Sequence, residues 1–461
     1  MTGYNGDIPF KEVIKVETKN WADMTWQERR EERFKRWLNP PDVKFVSQEA
    51  EKLYQERVTR FIKAIKLEEP DRVPVMLPTG NYPAYWAGAT FRTLMYDYKK
   101  AHVIWKKYMA AFGDMDIFNG PGLVPSGKIA EAIPSKLQKL PGLGLPADAT
   151  MNQFVEGEYM MADEYDLLMM DPTDYNLRVM LPRTSPFFEP FKRLPPMRYF
   201  MGTPWVGILA DPEIRKIFQT LMSLTGEHVK WMTANMEINS YIRARGYPSL
   251  FGGGPMAGAP FDHFADALRG TQGIAKDMFR QPKKLHEAME HWLNLMVKTS
   301  VKNFPMTASP ICMMPLHKGD DTFMSDKQFA EFYWPYLRRL FLAMIEEGLV
   351  PMPFAEGKYN NRLKQITDTP RSGVVWYFDQ TDMGEAKRIL GDICCIAGNV
   401  PTSVVMKGTV QQVKDYCRKL IEDCAAGGGY ILAGGASIDN GKIENLKAMM
   451  DAAKEYGVYK K

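Results

Sequence analysis

A (β/α)8 barrel is the fold class that this sequence predicts, on three observations. Short apolar runs recur eight times, longer segments with helical periodicity stand between them, and most of the connections are short. Strand followed by helix, repeated eight times, suits a parallel sheet, because parallel neighbours need a crossover and eight of them can close on themselves. A doubly wound open sheet is the alternative.

In chain order, residues 25–37 predict a capped amphipathic helix, with Thr25 as N-cap, Glu28 completing a capping box, and Trp26, Phe34 and Trp37 as its apolar contacts. A second helix is expected near 47–67, so residues 1–65 form an N-terminal helical extension and 66–461 the barrel. The expected strands are "RVPVML" (72–77), "DIFNGP" (116–121), "PSLFGGGPMA" (248–257), "ICMMPLH" (311–317), "LVPMPFAEG" (349–357), "VVWYFDQ" (374–380), "ICCIAGNVP" (393–401) and "YILAGGA" (430–436). Segments 325–348 and 409–429 read as helices; in the second, Val413, Tyr416, Leu420 and Cys424 repeat at helical spacing. One connection is long. Residues 122–247 lie between strands two and three, where an insertion at a strand's C-terminal end would form a cap over the site.

Composition narrows the function classes. With 59 basic against 55 acidic residues in 461, the net charge of +4 offers no basic block for a phosphate backbone, so nucleic acid is not an expected partner. No run of about 18 apolar residues is present, which removes a membrane-spanning helix. Five cysteines without a CxxC pair suggest neither a disulfide framework nor a zinc ribbon, and a reducing cytoplasm is expected.

Barrel chemistry gathers at the C-terminal strand ends. The polar residues there are Asn81, Asn119, His317, Glu356, Asp379, Gln380 and Asn399. Asp379 in "WYFDQTD" follows a buried run, so its charge requires a partner or a metal. His317, followed by Asp320 and Asp321, could ligate a metal or donate a proton. Each also has a plain reading as a cap, a turn or a solvated loop. Tyr82, Trp86, Met256, Phe261 and Tyr377 could line a pocket or pack in the core. Of the vicinal Cys394 and Cys395, at most one can face the barrel interior.

The segments "FDHFADALRGTQGIAKDMFRQPKKLHEAME", "FMSDKQFAEFYWPYLRRL", "CIAGNVPTSVVMKGTVQQVKDYCRKLIE" and "GGYILAGGASIDNGKIENLKAMMDAAKEYG" resemble the uroporphyrinogen decarboxylase superfamily of (β/α)8 barrels. The likeness runs from about residue 50 to the end and is strongest after 260. Its branches include true decarboxylases and cobamide-dependent methyltransferases. Decarboxylases follow strand one with arginines that hold substrate carboxylates, yet here no arginine stands between Arg72 and Arg92. Thiol-methylating relatives carry His-x-Cys after strand five and a further Cys after strand eight as zinc ligands, where this chain has Phe354, Glu356 and Ala436.

The resemblance therefore implies a corrinoid-dependent methyltransferase acting on a small donor such as a methoxylated aromatic, with a lyase acting on a carboxylate, or a carrier without chemistry, as alternatives. Its cofactor would be cobalamin or another corrinoid, free or on a partner protein, since the chain lacks the Asp-x-His-x-x-Gly motif of a corrinoid-binding domain. Expected catalytic residues are Glu356, His317 and Asp379, which could also form an oxygen and nitrogen ligand set for zinc. Asn81, Tyr82, Tyr377, Gln380 and Asn399 are the expected substrate-binding residues. A homodimer is compatible with this reading.

Overall fold

The computed structural model describes residues 19–77, 79–113, 115–117, 124–196, 203–250, 258–304, 309–438 and 440–460. Nine strands are formed there: β1 (Val75–Met76), β2 (Gln138–Pro141), β3 (Gly144–Leu145), β4 (Gln153–Phe154), β5 (Ile311–Leu316), β6 (Val350–Ala355), β7 (Val375–Phe378), β8 (Cys395–Val400) and β9 (Tyr430–Gly434). Six of them make one curled parallel sheet in the order β1-β9-β8-β7-β6-β5, and β3-β2-β4 make a small separate sheet. The large sheet is a half-barrel, consistent with a TIM-barrel-like fold. Its six strands coincide with six of the eight apolar runs; the other two, 116–121 and 248–257, fall mostly outside the described residues.

Parallel strands covered on both faces read as continuous apolar runs, and β7, β8 and β9 are buried at every position. Register then sorts side chains with a period of two. Ile311 opposes Val350, Phe354 opposes Tyr377, Val375 opposes Cys395, and Ala397 opposes Ile431. Met76, Ile311, Val350, Met352, Val375, Tyr377, Cys395, Ala397, Ile431 and Ala433 gather in one cluster, which Ile117 and Leu250 also enter. Cys312, Met314, Trp376, Phe378, Cys394, Ile396 and Leu432 belong to the other, larger cluster, among the surrounding helices. Cys394 and Cys395 are thus divided between the two faces.

The N-terminal ends of the strands are closed by α1 (Trp26–Leu38) and α2 (Gln48–Ile65). Thr25 and Glu28 form the capping box expected from sequence. Phe34, Trp37, Tyr54, Val58 and Phe61 join the inner cluster of the sheet. Between Val124 and Leu250 the described chain forms the small sheet, several short helices and α3 (Pro212–Arg243). The strand crossovers carry α4 (Trp334–Glu346), α5 (Met383–Leu390), α6 (Thr402–Lys407) and α7 (Val410–Cys424), and α8 (Ile443–Tyr456) follows β9. Along α7, Val413, Leu420 and Cys424 are buried, as their spacing predicts. Among the described residues no helix is long and apolar enough to cross a membrane.

Candidate active site

His317 follows β5 directly, and its ring is held from one side. Its Nδ1 lies 2.5 Å from Oδ2 of Asp266, while Nε2 lies 3.8 Å from Oε1 of Glu356. Asp266 belongs to a helical run that begins at Pro260, and one turn earlier on that run stands Asp262. The buried Asp262 carboxylate accepts from the backbone N–H of His317 at 2.8 Å, from that of Lys318 at 3.2 Å and from the Tyr333 hydroxyl at 2.8 Å. The end of β5 is therefore pinned by one buried carboxylate, and the ring beside it is oriented by a second.

This arrangement sets the charges. The hydrogen bond that Nδ1–H donates to Asp266 raises the His317 imidazolium to a pKa of about 9, with Glu356 and Asp262 adding to it, so the ring is cationic at neutral pH. Burial, reinforced by the charge of Asp266, lifts Asp262 to about 7. Burial also raises Glu356, opposed by His317 and assisted by Asp379. The Glu356 carboxylate accepts no hydrogen bond from any described residue, and its only close partner is the His317 ring.

The glycine that follows Glu356 serves the local turn. Gly357 takes φ +80°, and its N–H donates to Oδ2 of Asp379 at 3.1 Å. A side chain at 357 would crowd Asp320 as well as strain the backbone. Asp379, half-buried rather than enclosed, accepts from Gln380 Nε2 at 3.2 Å as well. Glu356, His317 and Asp379 thus share one rim, at the C-terminal ends of β6, β5 and β7.

The other expected residues lie as follows. Asn399 is buried and donates from Nδ2 to the Thr381 carbonyl at 2.7 Å. Gln380 is exposed at the same rim. Asn81 occupies the N-cap position of the helix Tyr82–Trp86, after β1. Tyr82 and Tyr377 are core residues rather than rim residues, and Tyr377 donates to the Gly434 carbonyl at 2.7 Å, which leaves its ring packed between strands. Phe261 is buried and Trp86 is partly buried against the outer core. Asn119 and Met256 lie outside the described residues. Asp320 accepts from Thr322 and Phe323 in its own turn, and Asp321 accepts from the Asn361 N–H, so the "HKGDD" acids serve the loop.

For zinc the donor set does not assemble. Among the described residues no three His, Cys, Asp or Glu side chains are grouped to hold a metal ion. Asp266 engages His317 Nδ1 and leaves Nε2 toward Glu356, while Asp379 is engaged by Gly357 and Gln380.

Sequence reasoning missed Asp262, Asp266 and Lys318. The signal was present: Asp262 and Asp266 stand four apart, hence on one helix face, and Lys318 adjoins His317. Lys318 Nζ donates to Thr271 Oγ1 at 2.8 Å and lies 3.5 Å from both Asp266 and Glu156. Glu156, just after β4, in turn accepts from the Thr271 N–H at 2.5 Å and its hydroxyl at 2.6 Å, bringing the small sheet to this rim.

With that geometry in place, likeness to known proteins can be assessed. Residues 253–456 match the family of uroporphyrinogen decarboxylase (URO-D). The matched residues run from before β5 to the end of α8 and contain every residue of the rim cluster except Glu156. A methyltransferase from Methanosarcina mazei has a similar structure, with a TM-score of 0.55 at 16% sequence identity, covering 88% of this chain and 98% of that one. At that identity the likeness speaks to the fold. No curated protein matches the sequence.

Proposed function

We propose that the chain is a corrinoid-dependent methyltransferase of O-demethylase type, moving a methyl group between a small donor, such as a methoxylated aromatic, and a corrinoid cobalt. The observation that carries this reading is the cationic His317 held between Asp266 and the unbonded Glu356 at the strand ends of a URO-D region. When bound, a corrinoid cobalt supplies the nucleophile that takes the methyl group. The residues present suit such a partner, because a cleft of about 730 Å³ opens beside Asp379, Gln380 and Asn399 at the same rim.

The chain's own part is acid catalysis and positioning. As the carbon–oxygen bond of a methyl ether breaks, negative charge develops on the departing oxygen. The imidazolium of His317 meets that charge, and its Nε2–H, or a protonated Glu356, delivers the proton. Asp266 keeps the ring oriented and charged, and Asp262 holds the backbone from which it projects. Asp379 is held in place by the Gly357 N–H, and its charge favours the protonated form of Glu356.

A decarboxylase reading needs free cations for substrate carboxylates, whereas His317 and Lys318 are already paired with carboxylates. The test is to incubate the purified protein with Co(I)alamin and a panel of methoxylated aromatics while following methylcobalamin by absorbance. Methylcobalamin is expected with at least one donor. Absence of transfer from every donor, together with carbon dioxide release from a carboxylate substrate, would overturn the reading.

A further inference from the structure

The cleft beside the rim is a feature the proposed proton chemistry does not use. It lies between the C-terminal ends of β7 and β8 and the outer helices α5, α6 and α7, and Asn360, Gln380, Asn399, Thr402, Ser403 and Tyr416 line it. A second groove of about 620 Å³ shares Ser403, Tyr416 and Lys419 with it and extends it along α6 and α7. A small methyl donor at His317 would leave this whole arm empty.

Its charges are mostly spent. Lys419 pairs with Asp423 at 2.6 Å, Asp382 caps α5 by accepting from the Glu385 N–H, and Asp379 is bound by Gly357 and Gln380. Lys358 at the mouth is the one cleft cation without an ion pair among the described residues. What stays available is uncharged and two-sided. Asn360 uses Oδ1 to accept from the Asp382 N–H, leaving its NH2 as a donor. Asn399 spends Nδ2 on the Thr381 carbonyl, leaving Oδ1 as an acceptor. The Thr402 and Ser403 hydroxyls bond to no described residue. A group that complements donors and acceptors at once, without charge, is a carboxamide.

We infer that this cleft holds the carboxamide-bearing edge of the corrinoid, so that Asn360, Thr402 and Ser403 are corrinoid-binding residues distinct from the proton-handling pair. The inference rests on the methyltransferase reading, which identifies the corrinoid as the large ligand sharing this rim. The physical content is separate: a ligand whose periphery is ringed with amide groups exchanges its water contacts for several neutral hydrogen bonds, each of modest strength.

Equilibrium binding of hydroxocobalamin to the purified full-length protein, by calorimetry and by quenching of tryptophan fluorescence, reads this without any turnover. The wild type is expected to bind, and the triple variant Asn360→Ala, Thr402→Val, Ser403→Ala to bind at least about tenfold more weakly, the sum of a few hydrogen bonds of ordinary strength. Glu356→Gln is expected to keep wild-type affinity. A cobalamin monocarboxylate, with one carboxamide turned into an acid, should bind less tightly to the wild type and lose that disadvantage in the triple variant. Far-ultraviolet dichroism and thermal unfolding establish that each variant is folded, and single Asn360→Ala and Ser403→Ala variants replace the triple one if it is not. Equal affinities of variant and wild type, no cobalamin binding by the wild type, or preferential binding of a neutral oligosaccharide would overturn the assignment. Binding that depends on the cleft but no methyl transfer from any donor would sink the methyltransferase reading alone. Methyl transfer with variant-independent binding would sink the cleft assignment alone.

Discussion

The two ends of the half-barrel treat their charged side chains in opposite ways. At the N-terminal end, Arg29, Arg30 and Arg33 of α1 are buried, and their guanidinium groups donate to the carbonyls of Glu346, Ser372 and Glu347 at the loops entering β6 and β7. Asp116 there receives Arg60, both terminal nitrogens of Arg72 and the Val75 N–H, at 2.6 to 2.9 Å. At the C-terminal end Glu356 receives no hydrogen bond from any described residue, although burial raises its pKa. Charged groups bonded inside the protein hold structure, even where one nitrogen, Arg30 Nε, is buried without a partner among the described residues. A half-buried carboxylate left without donors is costly unless something else uses it, and that difference marks the working end.

The difference can be broken from either side. The largest effect is expected at the closed end: Asp116→Ala leaves the Arg72 charge without its partner and Arg60 with Asp71 alone, and should cost about 3 kcal/mol of stability, read as a lower midpoint in urea unfolding. Whatever protein remains folded should keep its methyl-transfer rate. The opposite signature is expected from Glu356→Gln. The side chain is 44% exposed and accepts no hydrogen bond from any described residue, so stability should stay within about 0.5 kcal/mol while methyl transfer falls about 10²-fold, as for loss of a general acid. An unchanged rate would show that the rim chemistry runs without it.

Much of the closed end was legible in the sequence, and less of the open one. The Thr25 capping box, the helix after Ser47 and six apolar runs announce themselves because caps and burial are local or periodic signals. Glu356, His317 and Asp379 could be placed at strand ends by the same logic. What sequence order hides is contact across the fold. Asp266 and His317 are 51 positions apart, so nothing local links them. Tyr377 went the other way: an aromatic two residues before Asp379 reads as pocket lining, but its ring packs in the inner cluster of the sheet and its hydroxyl meets the Gly434 carbonyl. Zinc is of the same kind: residue types can be read from a sequence, whereas whether three of them gather round one point cannot, and among the described residues no three do.

A smaller effect, of direction rather than size, is expected from Asp266→Asn. The carboxylate raises His317 from its ordinary value near 6.5 to about 9, so the ring is charged below about 6.5 whether or not Asp266 is present. Its favourable charge is lost as pH rises through about 9, which places the alkaline limb of the wild-type rate profile there. In the variant that limb should move toward about 6.5. The contribution of the pair to stability follows the same sign, full below about 6.5 and gone above about 9, although a ring 38% exposed makes it small. A limb that stayed near pH 9 would take the proton-donor role away from His317.

The smallest effect concerns Glu156, where the small sheet meets the rim. Its carboxylate binds Thr271 twice and stands 3.5 Å from Lys318, whose ammonium lies equally far from Asp266. Glu156→Gln keeps an acceptor for Thr271 and removes only the charge. Lys318 then shifts its pull onto Asp266, which competes with His317 for that same carboxylate. The pair is partly exposed, so the loss in stability should stay below about 1 kcal/mol. The informative readout is the rate profile: a Lys318 drawn closer to Asp266 weakens its hold on the ring, and the alkaline limb should slide slightly acidward while the plateau rate holds. An unmoved limb, with ordinary unfolding, would confine Glu156 to tethering the small sheet and leave the imidazolium to Asp266, Glu356 and Asp262.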